Sequence, residues 1–353
     1  MQLGIIGLPM VGKTTVFELL TESSDKSHNA AKANMGMARI PDIRIDFLSN
    51  MYKPKKTTYA QLEVVDIPGL VPGAEKAAGV FLDAVRRADA LLHVVRVFKN
   101  EALALNDEID PVKDIETINY ELLLADLDLI EKRIDKINSH KKRNNFLMEL
   151  ELLQRLQEAL ENEIPLSAVD LNDDEQQILN SYQFLTDKPI LICLNISEDD
   201  LINKQYEKKE EIFKYAREHS LPLVEISAGI ERELLELEGE EKQAFMQELG
   251  IDESGIVKIC QSMYERLGLI SFFTVGEDEV KAWTIEKGTI ARKAAGKIHS
   301  DIERGFIRAE VVEYEDLKNL GSMTAVKEKG LFRLEGKEYV VKDGDIIHFR
   351  FNV

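Results

Sequence analysis

The stretch Leu3–Leu20, LGIIGLPMVGKTTVFELL, decides how the rest of the chain is read. Leu3–Ile6 is short, apolar and ended by a glycine, the pattern of a buried strand. Lys13–Leu20 has the composition of a helix. Between them stand Gly7, four residues, then Gly12, Lys13 and Thr14. That order of strand, glycine-rich loop and helix is a phosphate cradle, with backbone N–H groups and a helix N-terminus facing the anion. Met10, Val11, Gly12, Lys13, Thr14 and Thr15 are the candidate nucleotide-binding residues of the loop. Lys13 is expected to reach the β- and γ-phosphates, and the Thr14 hydroxyl to ligate Mg²⁺.

A second element follows at the expected distance. LEVVDIPGL, Leu62–Leu70, is an apolar strand ending at Asp66, with Gly69 three residues on. A carboxylate at a strand end holds Mg²⁺ through water, and the Gly69 N–H is placed to sense a γ-phosphate. Asp66 and Thr14 are therefore the metal candidates, and Gly69 and Lys13 the catalytic ones. Ras-type GTPases have at position 70 a glutamine that orients the attacking water. Leu70 cannot do so, so hydrolysis is expected to be slow or assisted by other groups.

The base pocket is sought after the next apolar strand, in PILICLNISE, Pro189–Glu198. Guanine-specific proteins of this class carry Asn-Lys-x-Asp there. Here the residues are Asn195, Ile196, Ser197 and Glu198. The expectation is that the Asn195 amide faces N6 and N7 of adenine, that Ile196 supplies an apolar face, and that Glu198 stands where a guanine-reading aspartate would. The alternative is that Asn195 caps a strand and the base is held elsewhere. EISAG, Glu225–Gly229, is expected to close the pocket with backbone N–H groups, which adds Ser227, Ala228 and Gly229.

These residues resemble the YchF family, an Obg-related branch of the P-loop NTPases that prefers ATP to GTP. The likeness runs through GLPMVGKTTVF, VVDIPGLVPGA, DALLHVVRVF, LLLADLDLIEKRI, LNISEDD and QAFMQELG. It continues through VKAWTIEKGTIARKAAGKIHSDIERGFIRAEVVEYED and RLEGKEYVVKDGDIIHFRFNV. The last two stretches are similar to the ubiquitin-like TGS domain that closes these proteins. The resemblance implies a P-loop ATPase with Mg²⁺ as cofactor and a ribosome or ribosomal RNA as partner. The chain is a divergent member. Met10 replaces the family's asparagine, so potassium assistance is not expected. Ala30 stands where a switch threonine is usual, and Phe98–Pro111 lacks the histidine linked to hydrolysis.

Composition narrows the partners. The 353 residues carry 64 Asp and Glu against 45 Lys and Arg, a net charge of −19. Bulk attraction to nucleic acid is excluded, so any such contact must be a local basic patch. The two cysteines, Cys193 and Cys260, form no disulfide framework, and no apolar run reaches a membrane span. A cytoplasmic monomer with no membrane contact is expected.

The fold class expected is α/β: a P-loop NTPase domain, a coiled-coil-like helical hairpin insertion and a C-terminal α+β grasp (TGS) domain. The boundaries expected are 1–114 and 187–268 for the NTPase domain, 115–186 for the hairpin and 269–353 for the grasp. Leu123, Leu127, Ile130, Ile134 and Ile137 form a heptad seam facing a second stripe of Leu150, Leu153, Leu156 and Leu160. The tip SHKKRNN, Ser139–Asn145, reads either as a solvated turn or as a contact for RNA phosphates. FFTV, KAWTI, FIRAEVVEY, EYVVK and IIHFRF read as strands and Ile290–Lys297 as a helix. Trp283 reads as core, or less readily as a stacking platform. Lys287, Arg292, Lys293, Lys297, Arg304 and Arg308 line either a basic face or a mixed surface. Together these features predict a slow, ribosome-associated ATPase switch; a GTPase of Obg type and a non-catalytic ATP-gated module are the alternatives.

Overall fold

The computed structural model describes residues 1–23, 34–71, 75–99, 109–141 and 143–352. Its contacts divide the chain into two compact units, Met1–Gly36 with Glu63–Ile259 and Met37–Leu62 with Cys260–Val353.

The first unit opens with β1 (Gln2–Ile6) and α1 (Lys13–Thr21), and β2 (Asn34–Arg39) begins in it. The intervening α2 (Ile43–Tyr52) and β3 (Lys56–Thr58) belong to the second unit. The chain resumes with β4 (Gln61–Asp66), α3 (Glu75–Arg87), β5 (Ala90–Arg96), α4 (Pro111–Asn138) and α5 (Leu147–Glu161). Next come α6 (Asp173–Asn180), β6 (Ile190–Asn195), α7 (Glu198–Asn203), α8 (Lys209–Glu218), β7 (Leu223–Ile226), α9 (Ala228–Glu236) and α10 (Gly239–Glu248). Helix α11 (Gly255–Arg266) begins in this unit and continues into the second from Cys260. The first sheet has the order β2-β4-β1-β5-β6-β7, and the neighbours from β4 to β7 run parallel. Strands β1, β5 and β6 are mostly apolar because both of their faces are covered, with His93 of β5 and Asn195 of β6 as buried polar exceptions. On one face Ile6, Val65, Ile67, Leu70 and Leu91 pack with Phe81, Val85, Ile118 and Leu122 of α3 and α4. Further along that face Val95, Val97, Ile192 and Leu194 pack with Ile115 and Ile212.

The heptad reading of α4 holds over its second half, where Ile130 and Ile137 are buried against Leu150, Leu153, Leu156 and Leu160. Helix α4 nonetheless starts at Pro111, with Asp110 accepting from the Lys113 N–H as its N-cap. Its first turns, through Ile115 and Ile118, also pack on the sheet. The hairpin's base is tied by a buried carboxylate. Asp126, 0% exposed, accepts from the Leu185 and Thr186 N–H groups at 2.8 Å each and from the Thr186 hydroxyl at 2.9 Å.

In the second unit, β8 (Leu269–Thr274), β9 (Glu279–Glu286), α12 (Ala291–Ile298), α13 (Ser300–Arg304) and β10 (Phe306–Glu313) lead to α14 (Tyr314–Leu320) and α15 (Met323–Glu328). Strands β11 (Arg333–Glu335) and β12 (Asp345–Phe351) complete it. The order is β11-β10-β12-β8-β9-β3, with β8 and β12 parallel at the centre. Ala291, Ala294 and Ala295 give α12 a small-residue face that fits against Phe272, Ile285, Val311 and Phe349. Trp283 stacks on Phe272 with ring centroids 6.3 Å apart and donates to Thr274 Oγ1, which is the core reading. EYVVK is not a strand. Lys342 N–H donates to Asp345 Oδ2 and Tyr339 N–H to Gly336 O, which curls the segment and leaves one bridge, Val340 to Ile290. The role of Met37–Leu62, which adds β3 beside β9, was not visible in its sequence. Among the described residues no helix is long and apolar enough to cross a membrane.

Candidate functional site

The loop between β1 and α1 is built on positive φ angles. Gly7 sits at φ 146°, Met10 at 63° and Gly12 at 99°. A side chain at Gly12 would place its Cβ 2.5 Å from Asn195 Nδ2, and one at Gly7 would meet the Val94 carbonyl. Both glycines are required by space as well as by backbone angle. Met10 takes its left-handed conformation without that freedom and is half exposed.

Lys13 opens α1 and is almost wholly buried, 8% exposed, with Nζ donating to the Leu8 carbonyl at 2.7 Å. Desolvation pushes its pKa down to about 8, against the opposing pull of the Asp66 carboxylate. An ammonium in such a place lacks full compensation and is well suited to meet an anion. Gly69 touches it; a Cβ there would stand 2.9 Å from Lys13 Nζ. Thr14 Oγ1 donates to Asp66 Oδ2 at 2.8 Å. The four residues singled out for catalysis and metal are thus brought together.

The donor set suits Mg²⁺. A hydroxyl and a carboxylate are hard oxygen donors, and Mg²⁺ is commonly held by one or two protein oxygens with substrate phosphates and water completing the octahedron. Among the described residues no group of three or more His, Cys, Asp or Glu side chains could hold a metal. An ion at Thr14 and Asp66 therefore depends on a ligand to fill its coordination.

The base-pocket expectations need correction at Ile196. Asn195 is 3% exposed and its amide is already engaged. Nδ2 donates to the Val11 carbonyl at 3.1 Å, and Oδ1 accepts from the Ala228 N–H at 3.4 Å. Through these two bonds it ties the phosphate loop to the start of α9. Ile196, also 3% exposed, points into the apolar cluster of Val95, Ile115 and Leu194, so it presents no face to a base. Glu198 is exposed at the first turn of α7, with its carboxylate lying over Gly229. Ser227 is buried at the start of α9. Glu231 escaped the sequence reading. It is buried and accepts from Ser254 Oγ and from the Gly255 N–H at 2.6 Å, which fixes α9 behind the loop.

Ala30 and most of the Phe98–Pro111 loop lie outside the described residues, as do Lys142 and the Arg143 side chain at the hairpin tip. Leu70 is 0% exposed and packs with Ile6, Ile67 and Phe81.

The family model described as a 50S ribosome-binding GTPase matches residues 2–130. The C-terminal YchF GTPase model, described as a protein of unknown function, matches residues 269–352. The ribosome-binding ATPase YchF of Bacillus subtilis is 45% identical over 361 aligned positions, covering 99% of each chain. The chain belongs to the YchF family. Another relative of this YchF-family chain is the Obg-like ATPase 1 of Oryza sativa subsp. japonica, 40% identical over 100% of this chain and 92% of that protein. The solved structure of the Schizosaccharomyces pombe YchF GTPase superposes with a TM-score of 0.89 at 33% identity, covering 99% of this chain and 97% of that one. The expected α/β class is the fold observed, with a P-loop GTPase domain followed by a C-terminal YchF domain where the grasp domain was expected.

Proposed function

We propose that the chain binds ATP in preference to GTP, hydrolyses it slowly and works in association with the ribosome. The observation that carries this is the convergence of Lys13, Thr14, Asp66 and Gly69 on one loop and helix start. Lys13, held against the loop, neutralises β- and γ-phosphate oxygens. The loop N–H groups around Gly12 and the start of α1 bind the remaining phosphate charge. Thr14 and Asp66 would hold Mg²⁺, which when bound neutralises charge developing on the phosphates. The Gly69 N–H hydrogen-bonds the γ-phosphate. No group at position 70 orients or accepts a proton from water, which supports slow turnover.

The ATP preference rests on the absence of the lysine and aspartate that read guanine, with Glu198 displaced over Gly229, and it agrees with the names of the relatives. Ribosome association rests on the same relatives. Its contact is proposed at the hairpin tip, where His140 and Lys141 are exposed, and on the C-terminal domain, not on the acidic surface as a whole. Segments 1–114, apart from the Met37–Leu62 stretch that belongs to the second unit, and 187–268 are proposed to act as the nucleotide domain, 115–186 as the hairpin that carries this contact, and 269–353 as the grasp. The buried Leu70 also favours a second reading, an ATP-gated module with no useful hydrolysis.

Calorimetric titration with ATP and GTP, then turnover on the same sample, tests these readings together. The expected result is ATP binding at least about tenfold tighter than GTP, roughly 1.4 kcal/mol, with measurable slow hydrolysis. Equal or tighter GTP binding refutes the preference, and ATP binding without hydrolysis leaves the gated module.

A further inference from the structure

His93 is an imidazole with no task in the chemistry above. It lies at the middle of β5, 1% exposed, and among the described residues neither ring nitrogen has a hydrogen-bond partner. Buried polar atoms are nearly always paired, so this one needs a reason. A leucine or phenylalanine would fill the same place without leaving two polar atoms desolvated.

Its position supplies the reason. In register, His93 is flanked by Ile6 of β1, the residue before Gly7 of the phosphate loop, and by Ile192 of β6. Register partners in parallel strands share a face, as do residues two apart, so Ile6, Ile192, Leu91 and Val95 lie on the side of His93. Ile6 and Leu91 belong to the cluster that buries Ile67 and Leu70. Ile192 and Val95 belong to the neighbouring cluster under Ile115. His93 therefore sits at the seam between two apolar clusters, below the phosphate loop and beside the cluster that seats Ile67–Leu70. Burial keeps the ring neutral, and the nearby Lys13 ammonium opposes its protonation further. A neutral imidazole offers one donor and one acceptor.

We propose that His93 is a positioning residue for the nucleotide-loaded arrangement of Ile67–Leu70, its ring taking a backbone hydrogen bond of that segment when the γ-phosphate draws Gly69 in. The unpaired ring in the structure described is then the higher-energy end of a two-state element, and nucleotide favours the paired end. This rests on the ATPase reading above.

The test uses the full chain. His93→Leu should raise the unfolding midpoint of the nucleotide-free protein, lower kcat about tenfold or more and leave KM within about threefold, because the lost interaction belongs to the loaded state. His93→Gln, which keeps a donor and an acceptor, should hold kcat within about threefold of wild type. Wild-type kcat in the leucine variant, or equal losses in both variants, overturns the proposal. Should the leucine variant fail to fold, histidine-labelled wild type decides the matter. Its His93 ring nitrogens, assigned by loss in the glutamine variant, should shift when a non-hydrolysable ATP analogue is added. Analogue binding by calorimetry with no shift sinks the role of His93 and leaves the ATPase reading standing. Absence of binding sinks both.

Discussion

Replacing Asn195 with alanine separates two roles that the sequence could not distinguish. In the structure the side chain is a latch between loops, with Nδ2 on the Val11 carbonyl at 3.1 Å and Oδ1 under the Ala228 N–H at 3.4 Å. Truncation leaves the buried Val11 carbonyl and the half-buried Ala228 N–H without that partner. A lost hydrogen bond with an unsatisfied buried group costs about 1–3 kcal/mol, and the 3.4 Å contact belongs at the weak end. A total of about 2–3 kcal/mol is expected, part of it in stability and part in the geometry of the phosphate loop. If about 1.4–2.8 kcal/mol of this reaches binding, affinity falls about 10–100-fold. Because the latch touches the phosphate loop and not the base, ATP and GTP should lose by the same factor. Asn195→Asp should cost at least as much despite its near-identical shape, since it sets a carboxylate against the Val11 carbonyl. The assay is calorimetric titration of wild type and both variants with each nucleotide, beside urea unfolding of the free proteins. A loss confined to ATP would refute the latch and restore Asn195 as a base contact. Affinity and stability unchanged in the alanine variant would refute both.

Nucleotide affinity should depend on pH through Lys13. Burial lowers its pKa to about 8 in the free protein, and phosphate will raise it, so binding takes up a proton and affinity falls as pH rises above about 8; titration near pH 8 in buffers of different ionisation enthalpy should show the uptake, and its absence there would exclude Lys13 as the phosphate ligand. Asp126→Ala leaves three buried donors at Leu185 and Thr186 unpaired and should destabilise the first unit by about 3–5 kcal/mol, read as a lowered urea midpoint; a change below about 1 kcal/mol would show that the hairpin's base is held by other contacts.

What the sequence made legible followed from local rules. Gly7, Gly12, Lys13 and Thr14 declare themselves because a phosphate loop needs glycine at fixed offsets, and the strand at Leu62–Asp66 follows in order. The hairpin was readable because its leucines repeat with the helical period. What stayed hidden was long-range. Asp126 and Glu231 carry no local signal of their role, because only the turns at 185–186 and 254–255, folded back on them, supply the N–H groups that make them anchors. Met37–Leu62 carries no pattern that says which sheet it joins. EYVVK had the composition of a strand, but Asp345 captured its backbone.

Ile196 failed for a different reason: a motif names a position, while burial decides what the side chain there can reach. The same reasoning bears on Leu70. Read from sequence, it is a missing glutamine, a subtraction from catalysis. In the structure it is a fully buried residue in the cluster that joins α3 and α4 to the sheet. Gly69 next to it touches Lys13, and Ile67 before it donates its N–H to the Ile5 carbonyl of β1. A glutamine there would have to desolvate its amide inside an apolar cluster or tear the segment loose. So the segment proposed to sense the phosphate is anchored through an apolar side chain, where Ras-type enzymes present a polar one to water. An anchor of this kind favours two discrete arrangements, because a packed cluster resists gradual deformation. On the function proposed above, slow hydrolysis is expected from the same residue that would make the segment a sharp reporter of nucleotide.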